Sequence, residues 1–69
     1  MTGLVKRSVT LAGHRTSVAL EPLFWDALAR LATQRGQTLA GLIAAVDAER
    51  GPDQPLASAL RIFALSAQR

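Results

Sequence analysis

Alternate residues in one short segment of the chain, 15–21, have side chains that could bind a partner. Alternation of this kind predicts a β-strand whose successive side chains point to opposite faces. One face would carry Arg15, Ser17 and Ala19, a small, polar and basic surface that is flat enough to lie in a groove. The opposite face would consist of side chains that can be buried: Thr16, Val18 and Leu20.

The predicted strand needs a neighbour, because its backbone donors and acceptors would otherwise remain unpaired. Residues 6–11 alternate only weakly, and Ala12 to His14 could form a turn, so an intramolecular hairpin is one possible arrangement. We favour instead a loose, basic N-terminal arm over residues 1–14. The strand would then pair with the same strand of a second copy, which makes a two-stranded ribbon of the kind that can read a DNA major groove.

Positive charge is concentrated at the strand end of the chain. The 69 residues have a formal net charge of +3, and residues 1–15 contain Lys6, Arg7 and Arg15 but no acid. This distribution suits a polyanion. A chain of this length buries only about 60% of its unfolded surface and needs additional support. Because the chain has no cysteine, disulfides are excluded, and oligomerisation is the remaining support.

Residue types that could catalyse a reaction are present but isolated. His14 has neither companion metal ligands nor a carboxylate placed to orient it, and no base is spaced to activate Ser17. We therefore expect no enzyme, no metal and no cofactor. The start of the chain lacks a secretory signal, and the longest uncharged stretch, 36–46, is too short to span a bilayer. These features predict a cytoplasmic protein with no membrane partner.

Three helices are predicted after the strand. The first covers about 22–35 and ends at Gly36, and Thr38 is a suitable N-cap for the second, which ends near residue 50. A connector with two prolines precedes a third helix over about 55–67. Its apolar surface is wider than one stripe, so we expect this helix to pack against other protein.

The order and spacing of these elements resemble the ribbon-helix-helix (Arc/Met repressor-like) family. The similar pieces are RTSVALEP (15–22), FWDALARLA (24–32), RGQTLAGLI (35–43) and PLASALRIFAL (55–65). The last piece, together with KRSVTLAGHRTSV (6–18), is similar to a short bacterial subgroup with an added C-terminal helix.

The resemblance implies a mostly α fold with one β-strand per chain. Two chains would form a homodimer whose strands pair as an intersubunit antiparallel ribbon across a two-fold axis. Residues 15–51 would form the ribbon-helix-helix core, and residues 52–69 would add a C-terminal helix to the same domain. The implied dimer core consists of seven apolar residues: Val18, Leu20, Phe24, Leu28, Leu42, Ile43 and Val46.

The resemblance also implies which strand residues contact DNA bases. Arg15, Ser17 and Ala19 would face outward and enter the major groove. Arginine can bond guanine through two hydrogen bonds, serine can bond several bases, and alanine can touch a thymine methyl group.

Phosphate contacts are implied at two further places. The start of the second helix would hold a phosphate through the Thr38 hydroxyl and the N–H groups of Leu39 and Ala40, because a helix N-terminus is a natural anion site. Lys6 and Arg7 would reach the flanking phosphates.

Two functions are consistent with these features. The first is a dimeric DNA-binding protein, a transcriptional regulator such as a repressor, which forms a homodimer or a higher oligomer on double-stranded DNA. The alternative is a protein-interaction or antitoxin-like adaptor that dimerises through the ribbon. It would dock a protein partner on the broad apolar face of its C-terminal helix, Leu56 to Leu65.

Overall fold

Two strands and three helices follow one another along the chain in a computed structural model that describes residues 3–67. The strands are β1 (Val5–Leu11) and β2 (His14–Leu20). The helices are α1 (Pro22–Gln34), α2 (Leu39–Glu49) and α3 (Leu56–Ala67). The predicted helices agree with these bounds to within about two residues.

The N-terminal segment departs from the prediction. β1 pairs antiparallel with β2 along its whole length, from Val5 opposite Leu20 to Leu11 opposite His14. The expectations of one strand and of a loose basic arm are therefore wrong, and the intramolecular hairpin is confirmed. The physical reason is proximity: a two-residue loop costs little closure entropy, so the nearest strand is in the same chain.

The turn between the strands contains only Ala12 and Gly13. Both residues have positive φ angles, 51° and 82°. A two-residue turn with this backbone matches the right-handed twist of the strands it joins. Glycine adopts such a conformation without cost, whereas an alanine Cβ is crowded there.

The helix ends follow from local chemistry. α1 begins at Pro22, where the missing proline N–H would have no acceptor in any case. Gly36, with a φ of 68°, allows the chain to leave α1. Thr38 caps α2, since its side-chain oxygen accepts a hydrogen bond from the Gly41 N–H at 3.0 Å. Gly36 and Thr38 therefore determine where α1 ends and α2 begins.

The core is shared by β2 and all three helices. Five of the seven residues expected in a dimer core, Val18, Leu20, Leu28, Leu42 and Ile43, are at most 3% exposed within the single chain. The other two, Phe24 and Val46, are half-buried and pack against the same cluster. A dimer role for this set stays a prediction, and the single chain already shields five of the seven side chains from water.

α3 completes this core. Leu60 is fully buried, and the small side chains of Ala59 and Ala64 let the helix approach α1 and α2 closely. The Nε of Arg61 donates a hydrogen bond to Oε1 of Glu21 at 3.0 Å, which joins α3 to the start of α1. The added helix is therefore part of the folded unit.

The turn conformation leads to a stability prediction. Asparagine tolerates a positive φ better than alanine, so Ala12→Asn should raise the free energy of unfolding by about 0.5–1 kcal/mol. Gly13→Ala should lower it by about 1 kcal/mol, because it places a Cβ in the same backbone region. Urea denaturation measures both changes. A destabilised Ala12→Asn variant would contradict the turn described above.

The role of α3 in the core leads to a second prediction. Leu60→Ala removes a fully buried side chain and should lower the free energy of unfolding by about 2–5 kcal/mol. Leu65→Ala on the same helix is the matched control, because Leu65 is 64% exposed. Its effect should stay within about 0.5 kcal/mol. Equal effects of the two variants in urea denaturation would show that α3 is not docked as described.

Candidate nucleic-acid interface

One face of the hairpin is directed away from the core. Residues directly opposite each other in an antiparallel pair share a face of the sheet. The register therefore groups Lys6 with Ala19, Ser8 with Ser17, and Thr10 with Arg15 on the side opposite Val18 and Leu20. We call this set of six the outer face. Ala19 is half-exposed and the other five side chains are exposed.

The three residues expected to contact bases all belong to the outer face. Arg15, Ser17 and Ala19 alternate with Thr16, Val18 and Leu20, as the sequence predicts. Ser8 and Thr10 were not predicted to contact DNA, yet they lie beside Ser17 and Arg15. The signal that could have found them is the weak alternation of residues 8–11 together with a glycine in the turn.

Lys6 and Arg7 lie on opposite faces of β1. Lys6 is on the outer face, whereas the Arg7 guanidinium lies 4.7 Å from the centre of the Trp25 ring. This stacking is a cation–π contact. Trp25 is itself 2% exposed, and its indole N–H donates a hydrogen bond to the carbonyl of Val5 at 2.9 Å. The indole therefore positions both the Arg7 side chain and the start of β1.

A shallow depression brings Arg7 together with the start of α2. Its wall includes Arg7, Thr10, Trp25, Leu39 and Ala40. Three of the five residues expected at phosphates, Arg7, Leu39 and Ala40, thus meet at one place. Sequence spacing alone could not reveal this, because β1 and α2 are about 30 residues apart.

The start of α2 has the electrostatics of an anion site. The N–H groups of Leu39 and Ala40 belong to the first helical turn, where no intrahelical acceptor is available. The helix dipole adds partial positive charge at this end. The Thr38 hydroxyl is engaged in the cap, and Arg7 adds a full positive charge at the depression.

The charge of the hairpin is not offset by the carboxylate that follows it. Glu21 comes directly after β2 and pairs with Arg61 on α3. The hydrogen bond from Arg61 lowers the pKa of Glu21 below its ordinary value, so this carboxylate is ionised and its charge is balanced by Arg61. Lys6, Arg7 and Arg15 remain as the charges of the hairpin.

Within residues 3–67, no cluster of three or more histidines and carboxylates could hold a metal ion. Over the same described range, no helix has both the length and the apolar character needed to cross a membrane.

A family model described as a ribbon-helix-helix domain matches residues 4–67. The chain belongs to the ribbon-helix-helix family. Members of this family generally dimerise and bind DNA, typically as transcription regulators or antitoxins, and their domains are generally not enzymes. The match includes β1 and α3, so both lie within the family domain. No curated protein and no solved structure matches the chain.

The cap of α2 can be tested separately from any ligand. Thr38→Ala removes the hydrogen bond to the Gly41 N–H and should lower the free energy of unfolding by about 1 kcal/mol. Thr38→Ser keeps the hydroxyl and should leave the free energy of unfolding nearly unchanged, because serine caps a helix at least as well as threonine. Thermal or urea denaturation measures both variants. Equal losses in the two would mean that the threonine methyl group, and not the cap, stabilises this helix end.

Proposed function

We propose that this ribbon-helix-helix protein is a transcriptional regulator that binds double-stranded DNA by inserting the outer face of its hairpin into the major groove. The observation that carries the proposal is the outer face itself. It has two cations, three hydroxyls and two methyl groups but no carboxylate, and its opposite side is fixed to the core by Val18 and Leu20. Such a surface can enter the groove without charge repulsion or loss of the fold.

Base contacts would come from Arg15 near the turn, Ser17 in the middle and Ala19 near the far end of β2. Arg15 can donate two hydrogen bonds to O6 and N7 of a guanine, and Ser17 can donate to or accept from several bases. Ala19 can contact only a thymine methyl group. Arg15 is thus the residue with the largest effect on sequence preference.

Phosphate contacts hold the ribbon in register. Arg7 and the first N–H groups of α2 lie at the same depression, so one phosphate near it would meet both a side-chain cation and a helix N-terminus. Lys6 would contact the backbone from the outer face. Contacts of this kind position a protein on DNA but do not select its sequence.

The number of contacts per chain favours more than one chain on the DNA. With about three phosphate charges neutralised by one chain, binding is weak at physiological salt. Members of the family generally dimerise. We therefore propose a homodimer as the binding unit, with further dimers on adjacent sites where higher affinity is needed.

A protein-docking role for α3 is the second candidate. Leu23, Ile62 and Leu65 are 77%, 56% and 64% exposed, so the outer sides of α1 and α3 offer apolar surface. Antitoxins within the family combine DNA binding with a protein partner, and such an adaptor role would use this surface. It would leave the hairpin free for DNA.

The proposal is tested by titrating the purified protein against DNA fragments from around its own gene at several salt concentrations. We expect binding that weakens steeply with salt. Arg15→Ala should lower affinity for the preferred site by about 10-fold or more and reduce the preference at one base pair. The double variant Lys6→Ala/Arg7→Ala should weaken binding to all sequences equally.

Arg30→Ala is the matched control for charge. Arg30 is exposed on α1 and lines grooves beside α3, away from the outer face of the hairpin. Its removal should leave base preference unchanged. A folded protein that gives no salt-dependent DNA binding at micromolar concentration would refute the DNA-binding proposal and leave the α3 surface as the better-supported site.

A further inference from the structure

β1 leaves one edge of β2 without a partner strand. The sheet formed by residues 3–67 has two strands, so β2 is paired on one side only. In a hairpin with a two-residue turn, the pair next to the turn exchanges backbone hydrogen bonds, and every second pair repeats this. The first such pair is Leu11 with His14. The intervening residues Arg15, Ser17 and Ala19 therefore direct their backbone N–H and C=O groups to the open edge of β2.

The open edge of β2 suits the same edge of a second copy. An antiparallel pair centred on Ser17 uses all seven residues of β2 and places Arg15 opposite Ala19, so no like charges face each other. Unpaired backbone groups on an exposed edge are a template for another strand. The homodimer of the proposed function would then contain a four-stranded sheet, with the two β2 strands in the centre and a β1 strand on each side.

The outer strands of such a sheet lie too far apart for the major groove. Neighbouring strands are about 4.8 Å apart, so each β2 lies about 2.4 Å from the two-fold axis and each β1 about 7.2 Å from it. A groove about 12 Å wide extends only about 6 Å to either side of its centre. We propose that β2 alone enters the groove and that β1 lies over its rim, where Ser8 and Thr10 join Lys6 in binding backbone phosphates. This inference rests on the proposed DNA-binding function.

The side chains of β1 have the chemistry for phosphate contacts. Its contribution to the outer face is one ammonium group and two hydroxyls, those of Lys6, Ser8 and Thr10, and all three side chains are exposed. Each can donate a hydrogen bond to a phosphate oxygen. The part of the outer face on β2 differs, because Ala19 has no side-chain donor. Phosphate contacts therefore suit every position on β1 but not every position on β2.

The depression at the start of α2 lies on the β1 side of the hairpin. Ser8 and Thr10 line it together with Arg7, Leu39 and Ala40. α2 packs against β1, whereas α3 packs against β2. A phosphate held at the start of α2 would therefore lie beside β1 and away from the two-fold axis. The width of the groove and the position of the depression thus favour the same place for the phosphate.

β1 is held in position without DNA. The indole N–H of Trp25 donates a hydrogen bond to the Val5 carbonyl, and the two-residue turn joins the other end of β1 to β2. Between these ends, Val9 and Leu11 pack against the core cluster. Because the strand needs no ordering on binding, its hydroxyls can contact phosphates without the loss of backbone entropy that a flexible arm would have.

The four-stranded sheet can be tested by cysteine cross-linking without DNA, since the chain has no cysteine of its own. At the centre of the intersubunit pair, the Cα atoms of the two residues 17 would be about 5.5 Å apart, within the range of disulfides. Oxidised Ser17→Cys should therefore give a covalent dimer in non-reducing denaturing electrophoresis. Ser8→Cys is the matched control and should give none, because the two β1 strands would be about 14 Å apart. A covalent dimer from Ser8→Cys, or none from Ser17→Cys, would overturn the four-stranded sheet.

The role of β1 is tested by measuring affinity and selected sequence together, with a randomised DNA library and a salt titration. Ser8→Ala and Thr10→Val should each lower the affinity for preferred and unrelated sequences by the same factor, about 2- to 10-fold, and leave the selected sequence unchanged. Lys6→Ala should do the same and also reduce the slope of log affinity against log salt by about one for each phosphate charge released. The neutral hydroxyls displace no counterions, so their variants should keep the wild-type slope.

The outcomes separate this inference from the proposed function. Ser66→Ala, at an exposed serine of α3, is the control and should change neither affinity nor selection. A wild type that binds no DNA refutes the proposed function, whereas the cross-linking result still decides the sheet. If the wild type binds and selects a sequence, an altered base preference in Ser8→Ala or Thr10→Val would refute the position of β1 at the rim. Unchanged affinity in both variants would refute its phosphate contacts, and the DNA-binding function would stand.

Discussion

The backbone of β2 must find a hydrogen-bonding partner, and the rest of the structure depends on β1 meeting that requirement. Once β1 is in place, the hairpin has one side for Val18 and Leu20 to pack on the helices and another side that is free of core contacts. Trp25 connects the hairpin to the core, because its ring is buried in the core while its N–H donates a hydrogen bond to the Val5 carbonyl. A basic surface can then be carried by a rigid element without any charged side chain entering the interior.

α3 gives this short chain a larger core. A chain this short buries a small share of its surface, which is the usual reason for it to need a second copy. Leu60 and Ala64 of α3 are buried in the core cluster and enlarge it within the single chain. Dimerisation is general in this family. In the proposed function it would arrange the chains on DNA and would not be needed to complete the core.

The helices could be predicted well because their ends depend on single residues with strong local preferences, such as Pro22, Gly36 and Thr38. The hairpin could not, for two physical reasons. The first reason is that the turn has alanine at a position of positive φ, where asparagine or glycine would have indicated a hairpin turn. The second is that Arg7 occupies an inward-facing position, where the pattern of a strand predicts an apolar residue. Arg7 is tolerated there because its guanidinium stacks on Trp25, a contact between residues 18 positions apart that no local pattern encodes.

The same contact explains why the candidate site has two parts. An arginine on the outer face would have joined Lys6 and Arg15 in a single basic patch. Stacked on Trp25, Arg7 instead lies at the depression beside Leu39 and Ala40, where a full charge adds to the partial charge of a helix N-terminus. The outer face, with its hydroxyls, has side chains of the kind that distinguish bases, whereas the depression gathers groups of the kind that would bind phosphate regardless of sequence in the proposed function. In the proposed function, the groups suited to phosphate and the groups suited to bases would therefore overlap only in part, at Lys6, Ser8 and Thr10.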